Sequence, residues 1–164
     1  MAELELKRAP TDRRLYSLKS VGTLRFGGFA KRTATAEAGG SSWQITRRGF
    51  WPRLIEATDA MGTVVGAFEP NSLRRGGTVR WAGRELALRP ASSWRSRYAL
   101  ADGERELALL DGKSWGRRPV KVTVDDSEPL EPALLLFTAF VVRGLAEDAD
   151  TAAAAGASSA ATGG

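Results

Sequence analysis

The residues of this chain that could do chemistry are arginines, carboxylates and tryptophans, because the two most versatile catalytic side chains are missing: it contains neither histidine nor cysteine. Without an imidazole there is no Ser-His or Cys-His dyad, no near-neutral proton shuttle and no imidazole metal ligand. Without thiols there are no disulfides and no zinc sites built on sulfur. Gly112-Lys113-Ser114 resembles the end of a phosphate-binding loop, but that motif needs a glycine five places earlier, where Leu107 stands in a strand pattern. The glycine pairs Gly27-Gly28, Gly39-Gly40 and Gly76-Gly77 do not open helices and no G-x-S-x-G is present, so they read as bends in a curved sheet. No cofactor, no catalytic residue and no enzyme activity are expected. Asp125, Asp126, Glu128 and Glu131 could hold a hard cation through carboxylate oxygens. They lack the glycine-punctuated spacing of a calcium loop, however, and favourable charge at a helix start explains them better; no metal is expected.

What remains is basic. The chain carries 24 Lys and Arg against 19 Asp and Glu, a formal net charge of +5. The excess is concentrated between Arg74 and Lys121, while the stretch after Val122 is acidic. A basic surface favours phosphate-bearing partners such as anionic lipid headgroups or nucleic acid. Arg74, Arg75, Arg80, Arg95, Arg97, Arg117, Arg118 and Lys121 are the candidate anion ligands, since guanidinium forks match phosphate oxygens. The competing reading is a solvated basic face, partly neutralised by Glu85, Glu104 and Glu106, in a chain biased toward arginine. Trp51, flanked by Phe50 and Pro52, is the candidate exposed aromatic, suited to a lipid interface or to stacking on a base.

The elements that must position these residues follow from periodicity. Leu24 and Phe26, Trp43 and Ile45, Val79 and Trp81, and Val120, Val122 and Val124 alternate with polar residues, the mark of strands with one buried face. By that phase Arg80, Arg95, Arg97 and Lys121 point outward and Trp43, Trp81 and Trp94 inward. Turn signals at Asp59-Ala-Met-Gly62, Ala82-Gly83, Asp102-Gly103 and Asp111-Gly112 imply tight antiparallel hairpins. A two-residue Ala82-Gly83 loop places Trp81 opposite Arg84, Arg80 opposite Glu85 and Val79 opposite Leu86. An Asp102-Gly103 loop places Tyr98 opposite Leu107, Arg97 opposite Ala108 and Ala99 opposite Glu106. Around a dozen short strands suggest a barrel or sandwich, the last two of them expected near 113–116 and 119–125.

After the prolines Pro129 and Pro132, the run from Ala133 to Val142 is apolar on all sides, which suits a helix surrounded by sheet. It falls well short of the roughly 20 residues needed to cross a bilayer. The helix is expected to end near Glu147. Three parts are therefore expected: an N-terminal arm at 1–12, a mainly β domain at 13–148 in which a closed antiparallel barrel of about twelve strands surrounds a buried C-terminal helix, and a disordered Ala/Gly/Ser tail at 149–164. The N-terminus does not read as a secretory signal, so the expectation is a cytoplasmic protein, with peripheral membrane contact as an option.

Trp43-Gln-Ile-Thr-Arg-Arg-Gly, then Ile55-Glu-Ala-Thr-Asp59-Ala-Met-Gly62-Thr-Val-Val-Gly, and finally the apolar helix after Pro132 together resemble the tubby C-terminal-like superfamily, whose relatives include the LURP-one-related proteins and phospholipid scramblases. The resemblance covers roughly residues 14 to 147 and implies a closed barrel around a central helix. In tubby proteins such a domain binds phosphoinositide headgroups through basic surface residues; no ligand residue carries over by position. The cysteine-rich segments and calcium-binding region of the scramblases have no counterpart here. The function expected is a non-enzymatic binding module for anionic phospholipid headgroups or another phosphorylated ligand. The alternatives are single-stranded nucleic-acid binding, or a structural or adaptor role through a protein partner.

Overall fold

Period-two alternation becomes a barrel because each strand has one apolar face and the chain folds every such face toward the same helix. The structure is a computed structural model that describes residues 2–27, 33–48, 54–72, 75–91, 97–112 and 120–162, with side chains to residue 148. The strands are β1 (Ala2–Arg8), β2 (Leu15–Leu18), β3 (Gly22–Gly27), β4 (Thr33–Ala38), β5 (Ser41–Arg48), β6 (Leu54–Thr58), β7 (Val64–Pro70), β8 (Gly77–Trp81), β9 (Arg84–Pro90), β10 (Arg97–Asp102), β11 (Arg105–Asp111) and β12 (Val120–Val124), followed by helix α1 (Pro132–Thr162). Each strand pairs antiparallel with its sequence neighbours, and β1 pairs with β12 to close the ring. Closure removes every free strand edge.

The closing strand is the segment expected to be an arm. Leu4 lies opposite Val122 and Leu6 opposite Val120 on one side, and Leu6 meets Leu18 on the other. Leu6 is fully buried. The alternation of Leu4 and Leu6 with Glu3, Glu5 and Lys7 is a strand signal, but its partner stands more than a hundred residues away. The strand expected near 113–116 lies outside the described residues.

The Ala82-Gly83 hairpin has the expected register, with Trp81 opposite Arg84, Arg80 opposite Glu85 and Val79 opposite Leu86. Both turn residues adopt positive φ, 49° at Ala82 and 81° at Gly83, the backbone that a right-twisted two-residue hairpin demands. The β10–β11 register differs from expectation. Tyr98 faces Leu110, Arg97 faces Asp111 and Ala99 faces Leu109, with a shift between Leu100 and Ala101. Asp102 pairs with Arg105, so the turn is Gly103-Glu104, and a bulge beside it absorbs one residue. That bulge also lets Leu107 and Ala108 both be buried although they are adjacent.

Residues 133 to 144 of α1 are buried on every side. Phe137 packs on Trp81 at 5.4 Å between ring centroids, Phe140 stacks on Phe26 at 5.6 Å, and Tyr16 meets the edge of Phe26 at 5.3 Å. Thr138, the buried hydroxyl in this run, donates to the Leu134 carbonyl at 2.8 Å, so its own hydroxyl is satisfied. Room for the aromatics comes from small residues: a Cβ on Gly66 would sit 2.3 Å from the Trp81 ring. The helix outruns the expected end near Glu147 and continues through the segment expected to be disordered, spanning 31 residues, about 46 Å at 1.5 Å per residue. Consecutive alanines after Thr151 have the highest helix propensity, and Gly156 alone does not stop them.

Up-and-down connection puts alternate loops at opposite ends. One end, here the upper rim, joins β1 to β2, β3 to β4, β5 to β6, β7 to β8, β9 to β10 and β11 to β12. The lower rim carries the other turns and the β12–α1 segment, where the helix enters.

Candidate anion-binding rim

The outward phase expected for Arg80, Arg97 and Lys121 holds, and each meets a carboxylate. Arg80 approaches Glu85 at 3.4 Å and Glu69 at 3.6 Å. Arg97 Nε donates to Asp111 at 3.0 Å, and Lys121 Nζ lies 3.3 Å from Glu3. Arg97 faces Asp111, Asp111 faces Lys121 and Lys121 faces Glu5, a row of alternating sign across β10, β11, β12 and β1. Opposite charges directly across strands stabilise the sheet, which is the bland reading of these three residues.

Position separates the candidates further. Arg97 is the first residue of β10 and Lys121 the second of β12, both at the upper rim, and Arg75 stands in the β7–β8 turn there. Arg80 belongs to the other end: Ala87 faces Ala101, so Glu85, the partner of Arg80, is level with the lower end of β10, some 20 Å along that strand from Arg97 at about 3.4 Å per residue. Arg75 is exposed on a turn built by Asn71, whose side-chain amide donates to the Arg75 carbonyl at 3.0 Å and whose oxygen accepts from the Arg75 amide at 3.1 Å. Below it, burial pushes the Tyr98 hydroxyl up from its ordinary pKa, with Arg75 pulling weakly the other way. Arg74, Arg95, Arg117, Arg118 and Trp51 lie outside the described residues, as does Trp94. Trp81 is buried and Trp43 partly buried against the core, as their phase requires.

The same rim holds cations that periodicity missed. Arg8, Arg13 and Arg14 are exposed where β1 turns into β2. Asp12 organises that turn: its carboxylate accepts the Arg14 backbone amide at 2.9 Å and also binds the Arg25 guanidinium. Those two contacts, the backbone one first, hold the Asp12 carboxyl below its usual pKa. The Arg13-Arg14 pair after Pro10 was the available signal.

Two further arginines enter the barrel instead of facing solvent. The Arg143 guanidinium, on buried α1, lies 4.3 Å from the Tyr16 ring centroid and 4.4 Å from that of Phe26. Arg47 shares the inward phase of Ile45 and lies 5.8 Å from Phe140, against Gly144, where a Cβ would be 1.6 Å from its Nη2. Cation–π contact keeps such charges near apolar walls.

The acidic cluster at 125–131 is a brace. Arg84 donates to Asp102 at 2.7 Å and to Glu128 at 2.9 Å; both contacts, Asp102 first, raise its pKa above the ordinary value. Arg105 reaches Glu128 at 3.0 Å and the Ser127 hydroxyl at 2.8 Å. Trp81 Nε1 donates to Glu131 at 2.8 Å. These carboxylates fasten the segment that leads into α1, and among the described residues no group of three or more metal-ligating side chains is assembled.

No family model matches the chain, and no curated protein and no solved structure is significantly similar to it. Among the described residues no helix is long and apolar enough to cross a membrane.

Proposed function

We propose that this chain is a non-enzymatic binding module of the tubby-like kind that docks its upper rim on an anionic phospholipid surface. The observation that carries this reading is the segregation of charge between the two ends of the barrel. Among the described residues the connections at the upper rim carry Arg13, Arg14 and Arg75 with the acid Asp12; Arg74, Arg95, Arg117 and Arg118 follow the same strands in sequence. The connections at the lower rim contain Asp59, Glu104, Asp125, Asp126, Glu128 and Glu131 and the base Lys19, and the arginines at that end, Arg84 and Arg105, are each held by carboxylates. The cations at the lower end, Arg80, Arg84 and Arg105, all meet carboxylates, whereas Arg13 and Arg75 at the upper rim stand exposed. A barrel charged this way is oriented by a negative surface, to which each nearby Lys or Arg contributes about 1 kcal/mol within a Debye length. Arg97 and Lys121 flank the same rim but are held by Asp111 and Glu3, and Arg80 lies too far down to join it.

Two features support the reading. Trp51 falls in sequence between the upper ends of β5 and β6, and an aromatic beside cations suits a headgroup layer. The closed barrel around a buried C-terminal helix is the architecture the tubby-like resemblance implies.

Vesicle co-sedimentation tests it. The chain should pellet with phosphatidylserine- or phosphoinositide-containing vesicles and not with neutral phosphatidylcholine at low salt, and salt should release it. Replacing Arg13, Arg14 and Arg75 by Glu should weaken vesicle affinity about 100-fold, as loss of about 1 kcal/mol per residue predicts. Equal recovery on neutral and anionic vesicles removes the proposal. Preference for a single-stranded oligonucleotide over anionic vesicles, with quenching of Trp51, would select the nucleic-acid reading instead.

A further inference from the structure

Between β12 and α1 the chain crosses the lower rim held by side chains. The Asp125 amide still donates to the Leu107 carbonyl at 3.0 Å, but among the described residues no backbone hydrogen bond joins residues 126–131 to a strand, and Pro129 has no amide to donate. Leu130 is the one buried residue of the segment. The other fastenings are polar. Glu128 bridges two strands, with one carboxylate oxygen 2.9 Å from Arg84 Nη2 on β9 and the other 3.0 Å from Arg105 Nη1 on β11. Arg105 also reaches the Ser127 hydroxyl at 2.8 Å and Asp125 at 3.7 Å. At the far end the Glu131 carboxylate accepts the Trp81 indole N–H at 2.8 Å, and its carbonyl accepts the Leu135 amide at 3.2 Å in the first turn of α1. The bridging side chains stand partly in water, Glu128 29%, Arg84 40% and Arg105 51% exposed. Ion pairs this wet each favour the closed state only a few-fold, whereas Phe137 and Trp81 are sealed in the core. A segment with one apolar anchor opens at a fraction of the free energy that unfolds the ring.

We propose that residues 125–131 are an acid-sensitive strap that unlatches from the lower rim while the ring stays closed and α1 stays inside it. The strap swings between Asp125, which keeps its bond to Leu107, and Pro132, where α1 begins. Opening parts Glu128 from both arginines, gives the Trp81 N–H to water and frees the Leu135 amide. Acid is the trigger because the charged acceptors are carboxylates. Asp125, Asp126, Glu128 and Glu131 belong to the strap, and on the neighbouring strands and turn stand Arg84 on β9, Asp102 on β10, Glu104 after it, and Arg105 and Glu106 on β11. Both guanidiniums stay charged at any pH that titrates these acids, so protonating Glu128 removes the attraction that closes the strap. The lowered pKa of Asp125 agrees in sign: its hold is complete above the unfolded value and is lost as pH falls through the folded one. The strap shares no residue with the upper rim, so the proposal goes beyond the lipid reading and does not depend on it.

Hydrogen exchange followed by nuclear magnetic resonance on the full chain tests it. At about pH 7 the Trp81 indole N–H and the Leu135 amide should be about 100-fold less protected than the amides of β3 and β4, and their exchange should be nearly indifferent to low denaturant, as a local opening requires. Toward about pH 3, below the carboxylate range, protection of Trp81 should fall about 10-fold after correction for intrinsic rates. Glu128→Gln should cost Trp81 about 10-fold of its protection at neutral pH and leave a smaller fall in acid, because the group that titrates is gone. Arg105→Gln should reproduce the neutral-pH loss, and it takes the place of Glu128→Gln if that variant does not fold. Circular dichroism establishes which variants are folded. Trp81 and Leu135 exchanging with the protection and the denaturant slope of β3 and β4 would mean that the segment opens only when the molecule unfolds, which overturns the proposal. So does a folded Glu128→Gln or Arg105→Gln chain with wild-type protection at Trp81, and so does protection at Trp81 that is the same at both pH values.

Discussion

Asp125 shows how a residue type is reinterpreted by its neighbours. Its carboxylate, eligible by sequence as a cation ligand, accepts the Ser127 amide at 3.0 Å and faces Arg105 at 3.7 Å. Those contacts, the Ser127 amide first, lower its pKa below the ordinary 3.8. A carboxylate whose pKa is depressed by folding stabilises the fold wherever it is ionised; the contribution is complete above its unfolded value and is lost as pH falls through the lower folded one. Asp125→Asn should therefore melt below the wild type at neutral pH, and the gap should close as the pH drops beneath the carboxylate range. A gap constant from pH 7 to pH 2.5 would show that charge is irrelevant there. The outward aim of Arg80, Arg97 and Lys121 was legible from alternation, and so was Glu85 as the partner of Arg80, because a two-residue turn joins them. Asp111 and Glu3 as partners were not, since β11 and β1 reach those positions through a bulge and through ring closure.

Among elements, short hairpins were readable and distant pairings were not. Ala82-Gly83 sets its register locally through turn geometry. The β10–β11 hairpin escaped because a bulge at Leu100 and Ala101 changes the count without altering the turn-like composition around Asp102 and Gly103. β1 escaped for another reason: seven residues with two leucines are a weak signal, and what orders them is the edge offered by β12. Deleting residues 2–8 should expose the β2 and β12 edges to intermolecular pairing and abolish cooperative unfolding, seen as aggregation in size exclusion and loss of the near-ultraviolet circular dichroism signal. A truncated chain that still melts cooperatively at the wild-type temperature would show that the ring does not need its closing strand. Within β1, Leu6 carries most of the burial, and Leu6→Ala should cost about 2–5 kcal/mol.

For the molecule as a whole, one helix is packed by strands from several parts of the ring, β3, β4, β8 and β10 to β12 among them. Phe137 is fully buried and touches Trp81, while Phe140 links to β3 and β2 through Phe26 and Tyr16. A core shared this widely cannot be lost in parts, so unfolding should be a single transition. Phe137→Ala should lower stability by about 3–5 kcal/mol, a large share of the ~5–15 kcal/mol typical of a domain. Denaturant titration followed by both tryptophan emission and far-ultraviolet circular dichroism measures it. Separate midpoints for the two signals would mean that helix and barrel are independent units.

Alternation, turn residues and an all-apolar segment, taken by themselves, determined that strands would surround a helix, and the lack of histidine and cysteine narrowed the chemistry available to it. These are local properties, set by side-chain periodicity and backbone conformation within a few residues. Only the folded ring decided that the N-terminal segment closes it, and that Arg97 and Lys121 are matched by acids while Arg8, Arg13, Arg14 and Arg75 stand at a rim. Such facts depend on which distant strands become neighbours and on which end each connection falls, and the free energy that selects them is burial of α1 inside the closed ring.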